Sequence, residues 1–291
     1  MDEHALRERI RPVVEDRTHG ASELARICLA IGAEVALREE ARSSAELHEC
    51  LERLAAALRA ARPSMAPVHN LLQRWLERLT GLSELELAAA RQAAAAAADE
   101  VAQQALRATR ETVRRACDFI GGGKTIMTHS LSSTVREVFH GLKDHDVRAI
   151  VSEARPLCEG HALTAQLADW GIPTTLITDA QMGLFVRQAD LVLVGADSLT
   201  EDGAAVNKAG TYLLALAARD QGIPFYVCCE TFKRRVPGMG ALELEEMDPA
   251  EIAAPGRPQV TVRNVYFDLT PRRLISGWIS EQGVQVWEQH G

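Results

Sequence analysis

Apolar residues recur at helical spacing along the first 118 positions, and the pattern changes after Gly123. Leu47, Leu51, Leu54 and Leu58 fall on one face of a helix, because residues three or four apart stack on the same side. Ser43 followed by Glu46 offers a capping box in front of that helix. Ser83 with Glu86 offers another, opening an Ala-rich segment that runs to roughly Phe119. Leu85, Val101, Leu106 and Val113 give this segment periodic apolar contacts that a low-complexity linker lacks. Gly121, Gly122 and Gly123 stop it.

Beyond Gly123, short runs rich in branched residues alternate with helical segments. The predicted strands are 125–127, 147–151, 174–177, 191–194 and 225–228. Gly171-Ile172-Pro173 and Gly222-Ile223-Pro224 each read as a helix stop followed by a strand start. Strands alternating with helices build a parallel sheet covered on both faces. The predicted class is α/β: a helical N-terminal domain over 1–119, then a parallel-sheet domain over 120–291.

Composition narrows the partners. A chain of 291 residues, 47% hydrophobic and 25% charged, suffices for two ordinary cores. A net charge of −8 argues against nucleic acid or an anionic membrane as a general partner. It leaves room for a local Arg and Lys cluster that holds a small anion. Six cysteines occur without a C-x-x-C pair, so reduced thiols in a cytoplasmic protein are expected. The opening MDEHALRERIRP lacks the apolar core of a signal peptide. No apolar run reaches the ~18 residues that span a membrane. The nine histidines show no metal-ligand spacing, so neither metal nor other cofactor is expected.

In an open parallel sheet, ligands bind at the carboxyl ends of the strands. Every predicted strand ends in polar or ionisable residues: Thr128, His129, Ser130 and Ser132; Ser152, Glu153 and Arg155; Thr178 and Asp179; Asp197; Glu230 and Thr231. One polar end is ordinary for a loop; five in succession mark a site. Asn207-Lys208 follows the turn Glu201-Asp202-Gly203 and precedes a predicted helix over 209–219. A helix N-terminus beside a Lys attracts anions. Gly121-Gly122-Gly123-Lys124-Thr125 imitates a phosphate loop, but Asp118 stands where that loop needs Gly, and a strand follows where it needs a helix. No G-x-G-x-x-G follows a strand, so the dinucleotide fingerprint is missing as well.

The runs THSLSSTVREVF, EARPLCEG and GADSLTEDGAAVNKAGTY, in this order, resemble the translation initiation factor 2B alpha/beta/delta family. That family includes ribose-1,5-bisphosphate isomerase and methylthioribose-1-phosphate isomerase. DRTHGASELA, ARPSMAPVHNLL and the closing NVYFDLTPRRLISGWISEQG extend the likeness over most of the chain. The resemblance implies a Rossmann-like C-terminal domain that self-associates, and a small phosphorylated metabolite as ligand. It implies Asp197 as acid/base and Ser132, Asn207, Lys208, Arg62 and Arg155 as substrate contacts. The family's catalytic Cys is Ser130 here, and the Arg of its N-terminal substrate loop is His19, before Gly20.

Two readings follow. The first is an isomerase converting an aldose 1-phosphate to a ketose, with Asp197 as acid/base and either Ser130 or Cys158 in place of the thiol. The second is a non-catalytic sugar-phosphate or nucleotide sensor, which needs no thiol. A translation-factor subunit gripping a protein partner trails both. A thiol titrating near ~8.5 exchanges protons near neutrality, whereas an alkyl hydroxyl needs an activating base. His129 is adjacent, but its side chain points away from Ser130 if the segment stays extended. The pocket is expected between the two halves, with Arg62 facing Asp197. A homodimer is expected through the C-terminal half, on the apolar stretch from Val265 to Ile279 that includes Trp278.

Overall fold

The computed structural model describes residues 2–237, 239–253 and 256–287. Two compact units emerge: Met1–Arg107 with Phe232–Leu242, and Ala108–Thr231 with Glu243–Gly291.

The first unit holds helices α1 (Glu3–Val14), α2 (Ala21–Arg38), α3 (Ser44–Ala61) and α4 (Ala66–Glu77), and the first part of α5 (Leu87–Ile120). Leu47, Leu51, Leu54 and Leu58 are all fully buried, as their spacing requires. Ser43 caps α3 by accepting from the Glu46 amide at 3.2 Å. The Glu46 carboxylate overshoots the reciprocal partner and accepts from the Arg42 amide at 2.8 Å. The expected box at Ser83 does not form. Leu82–Glu84 is a single 3₁₀ turn, α5 starts at Leu87, and the Ser83 hydroxyl pairs with the His48 ring instead. Trp75 is fully buried, and its Nε1 donates to the Ala94 carbonyl at 3.0 Å.

The polar character of α4 has a structural use. Asn70, 6% exposed, donates from Nδ2 to the carbonyls of Phe232 at 2.7 Å and Arg234 at 2.8 Å. These two bonds tie the distant segment 232–242 into the helical unit.

The second unit is built on strands β1 (Thr125–His129), β2 (Arg148–Ser152), β3 (Thr174–Ile177), β4 (Leu191–Val194), β5 (Ser198–Leu199), β6 (Ala205–Lys208), β7 (Phe225–Cys228), β8 (Phe267–Thr270), β9 (Gly277–Ser280) and β10 (Gly283–Val286). Helices α6 (Ser133–Leu142), α7 (Glu159–Asp169), α8 (Met182–Phe185) and α9 (Thr211–Asp220) separate the early strands. The main sheet has the order β10-β9-β7-β4-β1-β2-β3, parallel throughout except for β10 against β9. Side chains alternate between its two faces. Ile126, Val151 and Leu193 pack with Val138 and Phe139 of α6 and Leu163 and Leu167 of α7. Their neighbours Met127, Ile150 and Val192 pack with Leu214, Ala215 and Ala218 of α9. A sheet covered on both faces needs apolar residues at successive positions, hence the short unbroken runs in the sequence. β5, β6 and β8 form a separate antiparallel sheet.

Trp278 lies in the core, 4% exposed, with its indole N–H donated to the Cys229 carbonyl at 2.8 Å. Tyr266, Phe267, Leu274 and Ile275 are buried too. Most apolar residues of that C-terminal stretch, Trp278 included, therefore serve the protomer's own core, while Leu269 stays exposed. None of the described helices is long and apolar enough to cross a membrane.

Asn70→Ala leaves two carbonyls without their side-chain donor. A buried unsatisfied polar group costs about 1–3 kcal/mol, so the variant loses about 2–4 kcal/mol in urea-induced unfolding. An unchanged midpoint would show that segment 232–242 is held by other means.

Candidate functional site

Strand order reverses at β1: β2 and β3 lie to one side, β4 and β7 to the other. Beyond the carboxyl ends of β1 and β4 such a sheet leaves a crevice where ligands bind. At the end of β1 the extended chain stops. Ser130 takes the left-handed conformation at φ 65 and is 7% exposed. A non-glycine residue there costs about 1–3 kcal/mol and is held by its surroundings. Two residues on, Ser132 caps α6, its Oγ accepting from the Val135 amide at 3.4 Å.

The β4 exit presses against that cap. A Cβ built on Gly195 would lie 2.4 Å from Ser132 Oγ, so any side chain there would push the Ser132 cap aside. Asp197, half-buried, follows directly and donates its amide to the Val206 carbonyl at 2.8 Å. The antiparallel pairing of Ser198 with Val206 sets Asp197 opposite Asn207. Asn207 and Lys208 thus sit on strand β6, after the turn at 201–203 and ahead of α9, as the sequence order suggested. Asn207 donates from Nδ2 to Thr211 Oγ1 at 3.0 Å.

Lys208 is 8% exposed. Its Nζ lies 2.6 Å from Glu159 Oε1 and 4.1 Å from the centre of the Tyr266 ring. Glu159 Oε2 is buried and has no hydrogen-bond partner among the described residues. The lysine charge is therefore held in place, and one carboxylate oxygen beside it lacks a donor.

The N-terminus of α9, read from the sequence as an anion site, is already filled. Asp268 of β8 accepts from the Gly210 amide at 2.7 Å and the Tyr212 amide at 3.0 Å. Burial raises its carboxyl pKa to about 6, against the lowering effect of those two amides.

His129 is a structural residue. It is 1% exposed, with Nε2 2.9 Å from the Ala209 carbonyl and Nδ1 2.6 Å from Ser152 Oγ. A carbonyl only accepts, so Nε2 carries the proton and Nδ1 accepts from the serine. Burial lowers its pKa, keeping it neutral. Both ring nitrogens are engaged, so His129 does not activate Ser130.

Arg155 lies exposed on the β2–α7 loop, its Nη1 3.1 Å from the Pro156 carbonyl. The structure thus gathers Ser130, Ser132, Asp197, Asn207 and Lys208 along one edge of the second unit. Of two carboxylates there, sequence reasoning reached Glu230 as a strand-end residue and missed Glu159. Glu159 was legible only as part of EARPLCEG. Glu230, fully buried at the end of β7, accepts at Oε1 from Thr109 at 2.6 Å and Thr134 at 3.0 Å, and so holds the first turn of α6.

A second group forms within the first unit. Asp16 Oδ2 pairs with His19 Nδ1 at 2.6 Å, and its Oδ1 accepts from the His19 amide at 2.9 Å. Burial opposes ionisation of Asp16, but the His19 ring bond and the His19 and Thr18 amides hold its pKa below the usual value. Arg62, 4% exposed, donates from Nη1 to the Asp16 carbonyl at 3.3 Å. Gly20 begins α2. His19, Gly20 and Arg62 therefore share one corner of that unit.

The strand order and the reversal at β1 define a doubly wound α/β protein of the Rossmann type. The model of the Initiation factor 2 subunit family matches residues 17–286. Over 277 residues the chain is 39% identical to an eIF-2B subunit 2-like protein of Pyrococcus abyssi, covering 93% of this chain and 92% of that one. It is 29% identical over 286 residues to a ribose 1,5-bisphosphate isomerase of Methanocaldococcus jannaschii, covering 96% and 91%. The crystal structure of a Pyrococcus horikoshii translation initiation factor eIF-2B matches at a TM-score of 0.84 and 35% identity, over 98% of both chains. The chain belongs to the initiation factor 2 subunit family.

Asp268 yields a pH test. Its folded pKa of about 6 lies above the ordinary value of 3.8. Its contribution is therefore full below the ordinary value and fades as pH rises through about 6. Between about pH 4 and about pH 7 the wild type loses roughly 2–3 kcal/mol relative to Asp268→Asn, whose amide oxygen still caps α9. Urea melts at the two pH values read this difference; parallel stability curves would contradict it.

Proposed function

We propose that this chain binds an aldose 1-phosphate, ribose 1,5-bisphosphate or a close analogue, and converts it to the ketose with Asp197 as acid/base. The observation that carries this reading is the convergence of Asp197, Asn207, Lys208 and the Ser132-capped end of α6 at the sheet's switch point. Free amides at a helix N-terminus and a fixed lysine suit a phosphate. A relative named ribose 1,5-bisphosphate isomerase, matched along 96% of this chain, supports the same ligand class.

The chemistry follows from the substrate. Phosphorylation at C1 locks the ring as an acetal. A proton from the Asp197 carboxyl to the ring oxygen lets the C1–O bond break, with the electron pair leaving on that oxygen. C1 is then electron-poor. Hydrogen moves from C2 to C1 with its electron pair, and the C2 hydroxyl returns its proton to Asp197 as C2 becomes the carbonyl. The atoms balance and Asp197 is restored. Residue 130 moves no proton in this route.

A second reading, the non-catalytic sensor, starts from the serine at position 130, where related isomerases carry a thiol, and from His129, which does not activate that serine because both its ring nitrogens are engaged. NMR of conversion, paired with thermal-shift binding, separates the two. For the isomerase, Asp197→Asn costs about 10²–10⁴ in turnover while ligand still raises the melting temperature. For the sensor, wild type binds without turnover and Ser130→Cys leaves affinity unchanged. A wild type that neither binds nor turns over any pentose 1-phosphate refutes the site.

The chain also self-associates through its second unit on this reading. Leu184, Leu213 and Leu216 are exposed there and offer an apolar surface. Sedimentation at micromolar concentration is expected to show a homodimer; monomer alone would contradict it.

A further inference from the structure

The loop between β2 and α7 carries a cluster that the sugar-phosphate reading does not use. Glu153, Cys158 and His161 bring a carboxylate oxygen, a sulfur and an imidazole nitrogen within 4.8 Å of one another. Their spacing is Glu-x4-Cys-x2-His. Glu153 and Cys158 are half-buried and His161 is exposed, so an ion reaches them from solvent.

The loop backbone is fixed. A Cβ on Gly160 would sit 2.0 Å from the Ser152 carbonyl oxygen, so glycine alone lets the first turn of α7 press against the end of β2. The Gly160 amide donates to the Glu153 carbonyl at 3.1 Å, and the His161 amide to the Cys158 carbonyl at 3.0 Å. Asp179 accepts from the Ala154 amide at 2.9 Å and the Arg155 amide at 2.8 Å. Ala154 and Cys158 both hold the left-handed conformation, at φ 59 and φ 56. Non-glycine residues stay there only where surrounding bonds over-determine the chain. The three side chains thus project from a preorganised frame.

We propose that Glu153, Cys158 and His161 form a three-ligand zinc site on this loop. One sulfur, one imidazole and one carboxylate match the borderline-soft preference of Zn²⁺. Metal–ligand bonds of about 2.0–2.3 Å in a tetrahedron set ligand atoms somewhat under about 4 Å apart. Closing on the ion is therefore a matter of side-chain rotation. Thiolate and carboxylate together balance the divalent charge, and a fourth position stays open to water or a small ligand. The ion replaces the present contact of Cys158 Sγ with Arg155 Nη1, 3.9 Å away. The same loop leads into Glu159, the partner of Lys208, so occupancy also bears on that pair.

The test uses the full chain dialysed against a chelator and titrated with Co²⁺ as a spectroscopic stand-in, then with Zn²⁺ in competition. The expected result is one equivalent of Co²⁺ with a thiolate charge-transfer band and the visible bands of four-coordinate cobalt, all displaced by Zn²⁺. Cys158→Ser removes the charge-transfer band. His161→Ala and Glu153→Gln each weaken Zn²⁺ binding at least about 10–100-fold, the loss an outer-shell change already causes. Cys117→Ser, altering a half-buried thiol elsewhere, changes nothing. Circular dichroism checks the fold of each variant, and the wild-type titration stands without them. A wild type that binds no Co²⁺ at micromolar concentration, or a charge-transfer band that survives Cys158→Ser, overturns the proposal.

Discussion

The candidate site rests on one close approach. The exit of β4 at Gly195 lies so near the cap of α6 that a single added carbon would meet Ser132 Oγ at 2.4 Å. That contact joins the two strands on either side of the order reversal. It brings Ser132 against the segment that carries Asp197, and Ser130, two residues before Ser132, holds the left-handed conformation. Asp197 in turn registers with β6 through Val206, which sets Asn207 and Lys208 beside it. Loss of the approach at Gly195 would separate groups that stand 65 or more positions apart in the chain.

Charge around this edge is compensated locally. Lys208 is buried against Glu159 and Tyr266, and the amide end of α9 is taken by Asp268. A buried pair is weak evidence for stability, because desolvation consumes much of the attraction. Its use here is positional. The ammonium is held in one place, and an orphaned carboxylate oxygen sits next to it. The arrangement suits a ligand that brings both a negative group and hydroxyl donors. The amide end of α9 is thus closed to a ligand by Asp268, whereas at α6 the capping group is the neutral Ser132 hydroxyl.

The fold was largely legible in the sequence because its strongest signals are local. Five parallel strands announced themselves as short apolar runs behind Gly-Ile-Pro or Gly-rich stops, and three of them have the predicted bounds. β5, β6, β8, β9 and β10 were not legible. Ser198-Leu199 is two residues long, Gly277-Trp278-Ile279-Ser280 mixes small and large residues, and Asn207-Lys208 has the composition of a turn. β6 and β9 exist through pairing with distant partners, β8 and β7, which no local pattern displays. Trp278 was misread for a related reason. An apolar stretch near a chain end resembles an interface until the strand that it completes is known. Among site residues, the strand-end rule reached Ser130, Ser132 and Asp197. The roles of His129, Glu159 and Glu230 depend on contacts across 23 to 121 positions, beyond what spacing reveals.

The central claim is that the β1/β4 crevice is built for a phosphorylated sugar, with Lys208 as its fixed cation. Calorimetric titration of ribose 1-phosphate, with ribose as the control, tests it most directly on wild type and on Lys208→Met/Glu159→Gln. The double variant removes the pair without stranding a buried charge. The account predicts that wild type binds the phosphate ester well and ribose poorly. It also predicts that the double variant loses roughly 10–100-fold in affinity, the worth of a charged hydrogen bond. Equal affinity in the two proteins, or equal affinity for ribose and its phosphate, would contradict it.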